Sequence, residues 1–191
     1  VTLRLVPLDC PACGSAMRGD PWDTLFLCPH CGSGGILGKD GLETVESTAL
    51  LPAPGRRADL WRPAWILEAD VTVSERMLAD GRPTPGSSGR RTFILPAFDL
   101  ALNAFTRLAA ALTASAGATG EVPHEPVTGG VLGTDDALVL ARHLVLAEEI
   151  GRSDVLGSIR VSVDPVAWRL AAIPFQRDGG RIRCAVTGTR L

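Results

Sequence analysis

Cys10-Pro11-Ala12-Cys13-Gly14 and Cys28-Pro29-His30-Cys31-Gly32 repeat one pattern, with 14 residues between Cys13 and Cys28. In each copy a tight turn presents two thiols to one side and points its amide N–H groups at the sulfurs. The glycine that follows tolerates the left-handed backbone such a turn needs. Two turns supply four sulfurs, enough for a closed tetrahedral metal site. A closed site leaves no position for water or substrate, so the pattern speaks to folding rather than to catalysis.

Outward from these turns, Leu3, Leu5 and Leu8 lead into the first, and Thr24-Leu25-Phe26-Leu27 leads as a strand into the second. The resulting hairpin brings Cys28 beside Cys13. Gly32-Ser33-Gly34-Gly35 turns the chain, Leu42 to Val45 is expected to return as a third strand, and Trp22 to pack on the ribbon. A unit of this size, residues 1–48, cannot bury enough apolar surface to hold itself together, so a bound metal must contribute much of its folding energy.

The two CPxCG turns resemble those of the zinc-ribbon superfamily, whose knuckles are shared with rubredoxin; the likeness covers about a quarter of the chain. It implies a β-ribbon in which Cys10, Cys13, Cys28 and Cys31 hold structural Zn2+. Iron is the less favoured ion, because the spacing between knuckles is shorter than is usual in rubredoxins and the aromatic residues typical of them are sparse. His30 falls where the superfamily has a variable residue and is expected to be exposed. Zinc ribbons occur in transcription factors, ribosomal proteins, enzyme subunits and assembly factors, so the resemblance assigns no function. It does not extend to the rest of the chain.

The chain of 191 residues, 46% hydrophobic and 21% charged, has room for one good core plus a small satellite. Its net charge of −2 offers no general attraction to phosphates or anionic lipid, which makes nucleic acid an unlikely partner. A single lysine, Lys39, and the lack of tyrosine reflect a GC-rich, bacterial-like coding bias more simply than an adaptation. Val1 to Leu8 is too short for a signal segment, and no apolar run spans a bilayer. Four of the five cysteines sit in the knuckles, and thiols kept for metal imply a reducing compartment, the cytoplasm; two disulfides are the competing reading.

Leu51-Pro52-Ala53-Pro54-Gly55-Arg56-Arg57 punctuates a boundary, and a linker is expected at residues 49–60, ahead of a second domain at 61–191. Trp65 to Val73 ends in the alternation of a strand with one polar face. Asp80 to Arg91 reads as a surface loop and Thr92 to Leu95 as a second strand. Asp99 can cap a helix from about Leu100 to Ala114. After a loop from Gly117 to Gly133, Thr134 is expected to cap a second helix that Gly151 ends, with Asp135 and Asp136 at the positive end of its dipole. Ser158 to Val163, Trp168 to Phe175 and Arg181 to Thr187 read as three strands, the last two joined by Asp178-Gly179-Gly180. The expected fold is α+β: an N-terminal zinc β-ribbon, then an α+β sandwich with two helices on one face of a largely antiparallel sheet.

No catalytic constellation stands out. There is no G-x-S-x-G elbow, and Cys184 reads as a small buried hydrophobe. His124 and His143 lie apart, in a Pro-rich loop and on the second helix, and are poor candidates for a second metal site. Gly129-Gly130-Val131-Leu132-Gly133 lacks the Lys-Ser/Thr of a P-loop. Arg56-Arg57 and Arg90-Arg91 read first as solvated loop charge, with partner or phosphate contact as the alternative.

One feature points outward. Leu138, Ala141, Leu144 and Val145 suffice for the inner face of the second helix, yet Val139, Leu146 and Ile150 fall on the other side with Arg142 and His143. Such a helix is either covered by its own chain, here by the loop from Gly117 to Gly133, or buried against a protein partner or a second copy, for which Trp61 and Trp65 near the linker add a candidate docking surface. The expectation is a non-catalytic zinc-ribbon protein serving as scaffold, adaptor or accessory subunit of a larger complex. The alternatives are a nucleic-acid-associated ribbon and an iron-binding, rubredoxin-like electron carrier.

Overall fold

The computed structural model describes residues 7–39, 41–115, 117–152 and 154–191. The lead-in residues Leu3 and Leu5 lie outside that set. β1 (Leu25–Leu27), β2 (Gly34–Leu37) and β3 (Leu42–Val45) form an antiparallel three-stranded sheet, in register from Leu25 opposite Ile36 to Leu37 opposite Leu42. This is the expected ribbon.

The second sheet is mixed. It contains β4 (Ser47–Leu50), β5 (Leu60–Leu78), β6 (Ser87–Pro96), β7 (Thr119–Gly120), β8 (Leu156–Asp178) and β9 (Arg181–Cys184), in the order β6-β5-β8-β4-β7 with β9 also paired to β8. All its pairings are antiparallel except β4 with β8. The fold is thus α+β with mixed and antiparallel sheets, completed by α1 (Leu102–Ser115) and α2 (Thr134–Ile150).

Two long central strands organise this body. The strands expected separately at Ser158 to Val163 and Trp168 to Phe175 are one strand, β8. Pro165 looks like a breaker in sequence, but Glu68 pairs Ala167 and Ala69 pairs Pro165, so a bulge at Val166 absorbs the irregularity. β4 pairs only with Leu170–Ala172, so Pro165 removes no ladder hydrogen bond on that side. The expected loop at Asp80 to Arg91 is shorter than its composition suggests, since β6 begins at Ser87.

Alternation along β5 sends Trp61, Trp65, Leu67, Ala69, Val71 and Val73 to one face and Ala64 and Ile66 to the other, and both faces are buried. The first meets Ala137, Ala141, Leu144 and Val145 of α2. The second meets Ile173, Phe175 and Cys184. α1 departs from the expected placement of both helices on one face. It contributes Phe105 and Ala109 to the first cluster and Leu108 and Leu112 to the second. Its Thr113 Oγ1 accepts the Ile94 N–H at 3.0 Å, so the helix covers the outer edge of β6, a strand that would otherwise offer unpaired amides. α2 starts at Thr134 after an extended Gly133, and no side chain caps it; Thr134 is the first helical residue rather than the cap.

The ribbon is fused to this body rather than tethered to it. Glu46 alone separates β3 from β4, so the stretch read as a linker at 49–60 begins as strand β4. Leu25 and Leu27 join the core around Trp65. Thr24 and Leu25 donate to the Gly130 carbonyl at 2.7 and 3.0 Å, and Gly130 N–H returns a bond to Leu25 at 2.9 Å. A Cβ at position 130 would stand 2.9 Å from the Ala97 carbonyl oxygen and 3.1 Å from Leu25 Cβ, so this close approach requires glycine. Among the described residues, no helix is long and apolar enough to cross a membrane.

Candidate metal centre

The two knuckles close on one another. Gly14 N–H donates to the Cys10 carbonyl at 2.8 Å and Cys10 N–H to that of Ser15 at 2.9 Å; Gly32 N–H donates to Cys28 and Cys28 N–H to Ser33, both at 2.9 Å. Gly14 and Gly32 hold φ of 72° and 77°, the left-handed values expected of the turns.

The four sulfurs of Cys10, Cys13, Cys28 and Cys31 lie within 4.8 Å of one another, with Cys10 to Cys31 at 3.6 Å and Cys13 to Cys28 at 3.7 Å. A tetrahedron with metal–sulfur bonds of about 2.3 Å has edges of about 3.8 Å. The spacing therefore fits one four-coordinate ion and is far longer than a disulfide bond.

The two halves of the tetrad differ electrostatically. Cys10 and Cys28 are buried, with Met17 and Phe26 beside them, and burial pushes both thiols up, Cys28 to about 12. Cys13 and Cys31 face solvent, and hydrogen bonding by Ser15 and Ser33 lowers both, Cys31 to about 6; the Ser33 hydroxyl lies 3.3 Å from Cys31 Sγ. A divalent cation at the centre would offset that burial by stabilising Cys10 and Cys28 as thiolates. His30 is exposed, as expected, and His124 Nδ1 lies 3.3 Å from the Pro29 carbonyl, outside the tetrad.

The residues expected on a partner surface separate. Trp61 and Trp65 are interior. Trp65 is fully buried, donates Nε1–H to the Leu132 carbonyl at 2.8 Å and stands edge-on to Trp168 at 5.5 Å; Trp61 donates to Glu125 at 3.2 Å. Their proximity to a Pro-Gly segment suggested exposure, but that segment leads straight into a central strand. On α2, Val139 (59% exposed), Ile150 (67%) and Arg142 face solvent. Leu146 and His143 are half-buried, and His143 Nε2 lies 3.1 Å from Thr106 Oγ1 of α1. Trp22, expected on the ribbon, is 83% exposed, and Cys184 is buried as expected.

Two charged arrangements escaped the sequence reading. Arg76 is 3% exposed, and its guanidinium donates to Glu149 at 2.8 Å, to both Asp154 oxygens at 2.7 Å and to Thr84 at 2.8 Å. A bulge aims it inward: Ser74 pairs Arg160 and Met77 pairs Ser158, leaving Glu75 and Arg76 opposite Ile159, and Glu75 adopts φ 50°. The second arrangement gathers Arg56 and Arg57 with Arg177 and Arg183 around an open concavity of about 280 Å³. Its signals in the sequence were the Arg56-Arg57 pair and four arginines between residues 177 and 190, far apart in the chain.

No family model matches this chain, and neither a curated protein nor a solved structure is significantly similar to it.

Proposed function

We propose that this is a non-catalytic zinc protein that serves as a scaffold, adaptor or accessory subunit of a larger assembly in a reducing compartment, the cytoplasm. The single observation that carries the reading is the all-thiolate tetrad, whose four donors fill a tetrahedral ion and leave no position for a substrate. Four sulfurs in that geometry suit zinc, with iron as the rival ion. When bound, the ion supplies a crosslink between two knuckles that share few buried apolar side chains. The protein's own residues do the rest: the knuckle amides orient the sulfurs, and Gly130 lets the ribbon dock on the body.

Val139, Arg142 and Ile150 on the outer side of α2 support an attached partner, since two branched apolar side chains there gain nothing from water. The test is gentle purification of the full chain from its native cells, followed by mass measurement in solution. A stable complex that Val139→Asp disrupts is the expected outcome. A chain that stays monomeric and partnerless contradicts the reading. A visible absorption band with a reversible one-electron couple would instead support the iron-binding carrier.

A further inference from the structure

Two groups of arginines in this protein contrast. On the far arm of the sheet each has its own carboxylate: Arg82 with Asp80, Arg90 with Asp70, Arg91 with Glu148 and Arg160 with Glu75, at 2.7 to 2.9 Å, while Arg76 has two. At the β8–β9 hairpin the balance breaks. Arg56, Arg57, Arg177 and Arg183 line the concavity with Asp59 and Asp178. Arg190 shares Asp178 with Arg183 at 3.2 and 2.7 Å, and Arg181 is the cross-strand neighbour of Asp178. Six guanidiniums meet two carboxylates, an excess of four positive charges on a chain whose net charge is −2.

We propose that this hairpin end is a nucleic-acid-binding surface that holds the phosphodiester backbone of a duplex without reading its sequence. The excess charge is too large and too spread for one small anion, which two or three guanidiniums saturate; successive backbone phosphates engage them all. Guanidinium is the group that matches phosphate oxygens in pairs. The side chains are partly pre-arranged: Arg56 lies over Gly188, where a Cβ would stand 2.9 and 3.0 Å from its two terminal nitrogens, and donates to the Val186 carbonyl at 3.4 Å, while one oxygen of Asp178 holds both Arg183 and Arg190. No aromatic side chain lines the concavity among the described residues, so unstacked bases find no platform and the denser charge of a duplex is favoured. The surface uses none of the metal ligands, and this inference stands independently of the scaffold reading.

The test is fluorescence anisotropy of the full zinc-loaded chain with a labelled 20-base-pair DNA duplex of arbitrary sequence, between 50 and 200 mM salt. With about four phosphates engaged, the log–log salt slope is about −3.6 and affinity falls about 100-fold across that range. The variant Arg56→Gln/Arg57→Gln/Arg181→Gln, which changes three exposed side chains, flattens the slope by about three with its melting temperature unchanged. Arg90→Gln/Arg160→Gln, on the neutralised arm, leaves the binding curve unmoved. The proposal is overturned if the chain shows no salt-dependent binding, if the triple variant binds as the parent does, or if poly-glutamate of equal charge binds more tightly than the duplex, which would assign the surface to an acidic protein.

Discussion

The ribbon is an antiparallel sheet and the body a largely antiparallel one, yet the two are held together differently. Around the knuckles the buried apolar residues are Cys10, Met17, Phe26 and Cys28, flanked by Leu8 and Leu42. The body surrounds Trp65, Phe93, Leu170 and Phe175 with two continuous clusters on opposite faces of one sheet. A cluster of four buried side chains cannot offset the conformational entropy of some forty ordered residues, whereas the two-faced core can. The difference points to where stability would reside on the proposed reading: in coordination at one end and in packing at the other, joined at Leu25, Leu27 and Gly130.

That contrast can be broken experimentally, and the largest effect is expected at the ribbon. Chelation, or Cys28→Ser, removes a contribution of up to about 10 kcal/mol and exposes the amides of β1 to β3 to hydrogen exchange, while β5 and β8 stay protected. Equal loss of protection in both sheets would mean that the ribbon is an integral part of the body's cooperative unit. Next comes Trp65→Ala. It removes a fully buried indole and leaves the Leu132 carbonyl without its donor, costing about 3–5 kcal/mol in urea unfolding with metal content unchanged.

Within the body, the buried and exposed arginines sharpen the comparison. Arg76→Ala takes from Glu149, 4% exposed, one of its two arginine partners, leaving Arg152 at 2.6 Å, and removes both bonds to Asp154, so it lowers the denaturation midpoint below that of Arg90→Ala, whose partner Asp70 returns to water. The same network carries a pH signature. The Arg76 guanidinium holds the Asp154 carboxyl below its usual range, so the folded state binds that proton less readily than the unfolded chain. The stabilisation is present above about pH 4 and is lost as pH falls further, through the folded pKa. Asp154→Asn flattens that part of the acid-unfolding profile; an unaltered profile would remove Asp154 from the account. The smallest effect is expected from Val139→Asp, within about 0.5 kcal/mol for the isolated chain, because the side chain is exposed on the outer side of α2.

The four-cysteine cluster was legible because its signal is local: two CPxCG turns determine which atoms converge, and Thr24 to Leu27 explains how. The body was legible in class and in most of its elements. Its connectivity was not, because Pro165 and the Pro-Gly run at 52–55 have the composition of breakers, while a bulge keeps Pro165 inside β8 and a short surface turn at 52–55 connects β4 directly to β5. The tryptophans were misplaced for the same reason, since an adjacent Pro-Gly segment suggests exposure until a central strand is seen to begin at Leu60. The arginine cluster and the Arg76 network depend on pairings between residues far apart in the chain, such as Arg76 with Asp154, which no local pattern displays.

The measurement that bears most directly on the account is metal analysis of the purified chain combined with X-ray absorption at the metal edge. One zinc per chain with four sulfur neighbours at about 2.3 Å and no nitrogen or oxygen in the coordination shell is the predicted result. Less than stoichiometric metal, or a shell containing a light-atom ligand that leaves a position open, would contradict it.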